Sequence, residues 1–543
     1  MAIRGRGHRT FPSGTSWLVL ILLVCIASRC FGQNYDGFYY NNSGTVVTIT
    51  GYNGPGGAVT IPFSIPGVGM VTAIGAKAFF GSPRLDSVTI PGGVTSIGSD
   101  AFSYCFSLTS VTIPSSVTNI EDGAFWDCTS LTAFTVDTQN PAYTCLGGVL
   151  FNKSQTVLVE CPGAITGAYA IPTTVNIIAA AAFAACQGLT SLTMPDSVTF
   201  VGDQAFYFCT SLTSVTTGEG VTSIGKEAFQ DCYSLTSFNI PNSVISIGDY
   251  AFEYCGSLTN VTIPDSVTNI GIQAFEYCTG LTSATVGNGV TNIAESDFYA
   301  CTNLTSVSIP NSVTNIGFEA FAYCFSLTSV TIPSSVTSIG ECSFLGCTSL
   351  TSVTIPNSVT DLGFRAFEYC ASLTNVTIPN SVTNIDFEEF EGCSGLTSVT
   401  IPNSVASIGS GAFSNCTSLA SAYFRGDAPS SFALDAFRYT ASGFTIYYPA
   451  TATGWTTPTW MGYPAQPYYQ PVLSLVRGLG TVTPSFNNLQ LGTNYQLQVS
   501  TDLSTWSNTG PAFTATNASE VYGQPFDVGN WPQLFFRLQS APF

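Results

Sequence analysis

The sequence predicts a repeat solenoid with a parallel β-sheet on one face, built from 23-residue units and followed by a small C-terminal all-β module. Three observations predict it. Cysteine falls at Cys186, Cys209, Cys232, Cys255, Cys278, Cys301, Cys324, Cys347, Cys370, Cys393 and Cys416, each 23 residues after the last, with Cys105 and Cys128 an earlier pair at the same step. Each has a phenylalanine three residues before it and a leucine three after. From Leu327 to Pro333, apolar Val330 and Ile332 alternate with polar Ser329 and Thr331, the period of a half-buried strand. A fixed step of this size marks units that bury their apolar side only by stacking on neighbours.

Within one unit, Val330 and Ile332 point inward and Ser329 and Thr331 outward. Pro333 lacks an amide donor and closes the strand, and Ser334 and Ser335 make the corner. Val336 and Ile339 turn inward on the return path, Gly340 permits a tight bend, and Phe344 fills the centre before Cys347. Successive strands are expected about 4.8 Å apart.

The pattern LxxVxIPxxVxxIGxxAFxxC resembles the BspA-like subfamily of leucine-rich repeats, bacterial surface or secreted proteins, over roughly residues 35–463. The resemblance implies a leucine-rich-repeat-like solenoid, curved and used for binding or adhesion to protein, and it implies no enzyme.

The chain opens with a candidate secretory signal over residues 1–32. Arg4, Arg6 and Arg9 precede an apolar run from Trp17 to Ala27, with cleavage expected after Gly32. Arg29 before Cys30 argues against a lipoprotein site, and no later stretch has the length and apolarity of a membrane span. Removing this segment leaves nine basic residues against 32 acidic ones, a net charge of −23, a poor match for nucleic acid or anionic membranes. It also removes His8, the single histidine, so the remainder offers no Ser-His-Asp triad, no Cys-His dyad and no histidine metal site. No catalytic residue, metal site or cofactor is expected.

Residues 33–80 read as an N-terminal cap and residues 81–418 as the solenoid. The Cys128-to-Cys186 gap exceeds two periods, which places an insert at about 136–170, read as a hairpin from Gly148–Lys153 and Thr156–Val159 that protrudes to contact a partner or is a tolerated loop. Residues 419–463 read as a C-terminal cap and the Pro-rich 464–471 as a linker. Residues 472–543 read as a small sandwich-like β module with Trp506 and Trp531 as core anchors.

Three constellations carry candidate chemistry. The thirteen ladder cysteines read as buried thiols acting as small hydrophobes, because parallel side chains on stacked coils meet disulfide dihedrals poorly; Cys145 and Cys161, both in the insert, are the candidate disulfide. Glu253 and Glu276, like Glu368 and Glu391, fall two residues before a cysteine on successive coils; paired acids suit glycoside hydrolysis or calcium, against which stands a repeat copying solvated acids at a loop position. The outward strand positions, such as Ser306 with Ser308 and Ser329 with Thr331, form a hydroxyl face suited to a protein or glycan surface or, remotely, to an ice-binding threonine array.

The expected function is a secreted or cell-surface, non-catalytic binding or adhesion protein whose partner is an extracellular protein or glycan. A purely structural envelope component is the competing class. Variation between repeats separates the two, and it concentrates beside the cysteines: Tyr254, Tyr277, Tyr299 and Tyr323, interleaved with Glu253 and Glu276, are the candidate contact residues.

Overall fold

The computed structural model describes residues 33–469 without interruption and, between 472 and 540, the strands and short connections named below. The expected signal segment with its cleavage point, and Trp531, lie outside the described residues. Every regular element described is a β-strand. The chain divides into two compact units, one holding residues up to Thr351 with Asp361–Cys370, the other Ser352–Thr360 with Ala371 onward.

In the first unit a coil repeats every 23 residues. The coil beginning at Leu258 contains the strand Asn260–Thr262, a Pro264 corner closed by the Val267 N–H on the Pro264 carbonyl at 3.1 Å, and the short strand Asn269–Ile270. Asn260 pairs with Ser283 and Ser283 with Ser306, in parallel, so Val261 and Ala284 are buried in register. Leu258, Ile263, Val267, Ile270, Phe275 and Cys278 complete one interior.

The return path is a ribbon of turns. Tyr250 and Tyr254 both sit at a φ of 58°, the left-handed region, and the Cys255 N–H closes a turn on the Phe252 carbonyl at 3.1 Å. A positive φ at the third residue of a four-residue turn reverses the chain in few residues, leaving too short a path for a helix. Tyrosine there costs roughly 1 kcal/mol or more over glycine. Hydrogen bonds to the next coil offset it: the amides of Tyr250, Phe252 and Tyr254 donate to the carbonyls of Ile272, Ala274 and Glu276 at 2.8–2.9 Å.

Phenylalanines form the central column. Phe252 stacks on Phe275 at 5.3 Å and 2°, and Phe298 on Phe321 at 5.4 Å and 1°. The ladder cysteines are free, buried thiols that do more than fill space: the Cys278 sulfur lies 3.2 Å from the Phe252 carbonyl oxygen and donates to it. Gly340 departs from its expected role. Its φ is not positive, and a Cβ there would lie 2.7 Å from the Gly317 carbonyl carbon, so glycine is needed for the close approach of the coils and not for a bend.

The insert also differs from a protruding hairpin. Tyr143–Leu146, Val149–Asn152 and Val157–Glu160 form an antiparallel meander, and the last of these pairs in parallel with Ile177–Ile178. Thr166–Ala170 then joins Gly188–Thr193 in parallel. The insert thus rebuilds a coil, with rungs in both ladders, because both neighbouring coils need backbone partners.

In the second unit, Ser398–Ile401, Ser421–Phe424, Thr445–Pro449 and Tyr463–Tyr468 pair in parallel. Pro464 to Tyr468, read as linker, are therefore strand; proline is tolerated in this final parallel strand, whose other neighbour is only the two-residue Thr459–Trp460. Trp455, Trp460, Phe432 and Tyr463 pack over that end. In the C-terminal module, Val472–Arg477, Thr481–Asn487, Ser519–Val521 and Phe526–Asp527 make one antiparallel sheet, and Asn494–Ser500 with Ser507–Asn508, Phe513–Thr514 and Phe535–Ser540 another. Its core is Phe486, Leu489, Tyr495, Leu497 and Ala515. Trp506 does not join it: the Arg537 guanidinium covers its half-exposed ring at 4.3 Å.

Replacing Phe275 by Ala removes one ring from an unbroken stack and leaves a cavity, an expected cost of about 3–5 kcal/mol. Equilibrium urea unfolding reads it directly, and an unchanged midpoint would contradict an interior column.

Candidate functional site

The turn ribbon sets out the tyrosines. Tyr254 and Tyr277 each immediately precede a cysteine at positive φ, so their rings stack at 4.6 Å and 2°. Tyr299 comes one residue earlier in its turn, Ala300 taking the left-handed place, and its ring therefore meets Tyr277 edge-on at 5.5 Å and 72°. Tyr323 meets Tyr299 likewise at 5.4 Å and 81°. The structure thus brings all four into one half-buried row. Burial, first among the causes, pushes the hydroxyls of Tyr254 and Tyr299 well up, so they stay neutral hydrogen-bonding groups.

Glu253 and Glu276 are not the solvated acids the loop position suggested; they are 8% and 7% exposed. The Gln230 side-chain amide donates to Glu253 and that of Gln273 to Glu276. Asp231 accepts from the Tyr233 hydroxyl at 2.6 Å. Burial, then the neighbouring carboxylates of Glu276, Asp231 and Glu227, push Glu253 up to about 8, against the opposing effect of the Gln230 bond. Lys226 lies 3.4 Å from Glu227 and is largely exposed. Glu253 is therefore a neutral acid at neutral pH, built into the ribbon and poorly placed to meet a ligand.

The other expected features fall as follows. Cys145 pairs with Leu150, and Leu150 with Glu160, so a whole strand separates Cys145 from Cys161. Two strand spacings are about 9.6 Å, beyond the roughly 7 Å limit for a disulfide, and both cysteines are free. The outward Ser306, Ser308, Ser329 and Thr331 are exposed. A second hydroxyl row is consumed internally: Thr282 donates to the Thr259 carbonyl and Thr305 to that of Thr282, each at 2.9 Å. Ser306–Ser308 and Ser329–Thr331 lie on adjacent coils, with the Thr328 N–H on the Thr305 carbonyl at 3.3 Å, so the hydroxyl face runs on from one to the next.

Beside that face lies a shallow groove of about 510 Å³ that the reading of the sequence missed. Three successive corners line it: Pro264 and Asp265, Gly287 and Asn288, Pro310 and Asn311. The middle coil has Ala284, Val286 and Gly287 where its neighbours have Val261, Ile263 and Pro264. Val307 and Ile309 are half-buried here, whereas Val261 and Ile263, on the other side of the middle coil, are buried. Asp265 fixes the rim, accepting from the Asn288 backbone N–H at 2.7 Å and its side-chain amide at 3.1 Å. Those departures from the repeat, Ala284 and Gly287, were the signal that could have found it.

A family model described as BspA type leucine-rich repeat region, in six copies, matches residues 62–168, 165–281, 222–334 and 314–443. Among solved structures, a leucine-rich repeat protein from Bacteroides ovatus is similar at 26% identity, covering 66% of this chain and 98% of that one, with a TM-score of 0.37. A leucine-rich cell surface protein from Faecalibacterium prausnitzii is 25% identical over 78% of this chain and 96% of that one, with a TM-score of 0.35. A leucine-rich repeat protein from T. pallidum is 23% identical over 55% and 91%, with a TM-score of 0.22. No curated protein sequence matches the chain.

The sign of the Glu253 shift predicts a pH dependence. Between the unperturbed value of 4.5 and the folded value of about 8, the unfolded chain has lost this proton and the folded chain keeps it. Stability therefore falls as pH rises through that window, by at most about 1.4 kcal/mol per pH unit for each such group. Asp127 and Asp297, pushed up to about 7 by burial, act with the same sign. Calorimetry should show a melting temperature that declines from about pH 4.5 to about pH 8, and Glu253→Gln should flatten the decline by raising the value at the upper end only.

Proposed function

The chain belongs to the BspA-type leucine-rich repeat family, and from that premise we propose that it is an exported, non-catalytic binding protein that adheres to an extracellular protein or glycan. The observation that supports this most is the groove at Asp265, Gly287 and Pro310, where Ala284 and Gly287 replace the repeat's valine and proline and part of the core meets the surface. A stack serving only as a spacer has no need of such a local difference. The tyrosine row contributes ring edges and hydroxyls, since its ring faces are partly spent on one another. The outward serines and threonines supply hydrogen bonds without marking any one coil.

The test immobilises the chain from Gln33 onward and presents it to a panel of extracellular matrix proteins and glycans. Saturable binding to at least one is expected. An Asn311→Arg variant that fills the groove should lose most of it, and Tyr254→Ser with Tyr277→Ser should weaken it, each variant first shown to melt like the parent. Loss confined to Ser329→Ala with Thr331→Ala would instead move recognition to the hydroxyl face, and binding to no member of the panel would favour a structural component.

A further inference from the structure

One file of outward side chains changes character within the second unit. Thr354, Thr377 and Thr400 stand opposite one another on successive rungs, and in the same register the next two rungs carry Tyr423 and Tyr447. The inward Val399, Ile401, Ala422, Phe424, Ile446 and Tyr448 are buried, so the core of these coils closes without the two tyrosines. Tyr423 is 37% exposed. The two rings stack at 5.0 Å and 14°, close to the spacing of the rungs, so they stand upright along the ladder and spend one face of each on the other. The second face of Tyr423 looks back along the file toward Thr400. Tyrosine projects farther than threonine, and the file therefore ends in a step, with short hydroxyl side chains as its floor and an aromatic wall. Tyr468 buttresses the wall: it meets Tyr423 edge-on at 6.5 Å and 69°, and its hydroxyl donates to the Phe424 carbonyl at 2.8 Å.

We infer that this step is a carbohydrate site for a neutral polysaccharide, one pyranose ring lying against the free face of Tyr423 with its hydroxyls on Ser398 and Thr400. A pyranose ring presents C–H bonds on its faces and hydroxyls around its rim. The C–H hydrogens are partly positive and suit the negative face of an aromatic ring, while the rim needs short groups that both donate and accept. Ser398 and Thr400 are exposed and do both. The floor runs on through the exposed Thr377 and Thr354, which favours further units of a chain over a single sugar. Charge decides between ligand classes. From Asn375–Thr377 to Thr445–Tyr447 the outward strand positions carry hydroxyls and one amide and no charge, on a chain of net charge −19. A neutral ligand leaves nothing unpaired on such a face, whereas an anionic glycan meets an acidic chain and a protein brings charges that this face does not pair. The site goes beyond the groove, which belongs to the first unit, and takes a glycan whether or not the groove takes a protein.

The chain from Gln33 onward is run in native gels that hold starch, a soluble β-glucan or a galactomannan, and in one that holds heparin. Retardation by at least one neutral polysaccharide is expected, with none by heparin. Tyr423→Ala should weaken the affinity about tenfold, the worth of one stacking contact, and Tyr423→Phe should keep it, because the ring face is what binds. Thr400→Arg, which lays a cation over the free face, should abolish retardation without removing any ring. Asn311→Arg should leave retardation unchanged, so that failure of this site and failure of the groove are read separately. Each variant is first shown to melt like the parent. No retardation by any neutral polysaccharide, retardation that survives both Tyr423→Ala and Thr400→Arg, or retardation by heparin alone would each overturn the assignment. Binding to a matrix protein lost in Tyr423→Ala, with no glycan bound, would overturn it in favour of a protein site.

Discussion

Everything in this molecule follows from coils that lie one backbone hydrogen bond apart. On the strand side, amides point to both neighbours, as Thr259 does to Thr236 at 3.2 Å in the preceding coil and Ile263 to Thr285 at 2.9 Å in the following one. On the turn ribbon they point to the following coil, as Phe252 does to Ala274 at 2.8 Å. Each coil is thus bonded through its backbone to both of its neighbours, and its rise is fixed. That rise matches the spacing of stacked rings, which is why phenylalanine can recur at the centre of coil after coil without a void. It also excludes a Cβ at Gly340 and brings each ladder thiol to the carbonyl of the preceding coil.

The same spacing has an electrostatic consequence. A residue type repeated at one position is stacked on itself, harmlessly for threonine but at a cost for acids. Glu253 and Glu276 meet this by burial, amide hydrogen bonds and, for Glu253, retention of a proton. With few cations in the chain, pairing with Lys or Arg was rarely open to it; the described ion pairs, Lys77 with Asp100, Lys226 with Glu227 and Arg365 with Glu368, each leave the cation substantially exposed. Such a design tolerates acid better than base, whatever the ligand.

Recognition, by contrast, depends on breaking the repetition. Where Ala284 and Gly287 enter one coil, its neighbour's Val307 and Ile309 reach the surface, and where Tyr423 and Tyr447 end the file of outward threonines, rings rise from a face of hydroxyls. Both are local, because each coil touches only its neighbours.

The sequence by itself determined the solenoid, its 23-residue step, the inward Val and Ile, the phenylalanine column and the buried ladder cysteines, since each of these sees the same surroundings in every coil and so leaves a periodic trace. It also brought Tyr254, Tyr277, Tyr299 and Tyr323 into one row. Only the tertiary structure decided what depends on the adjacent coil. Burial of Glu253 is set by left-handed turns that recur without a fixed residue type, and the role of Gly340 by a carbonyl 23 residues away. A strand lying between Cys145 and Cys161 parts two cysteines that sequence distance suggested joining, and three successive corners together make the groove. Periodicity records what every coil shares; contacts across the step between unlike coils are recorded nowhere in it.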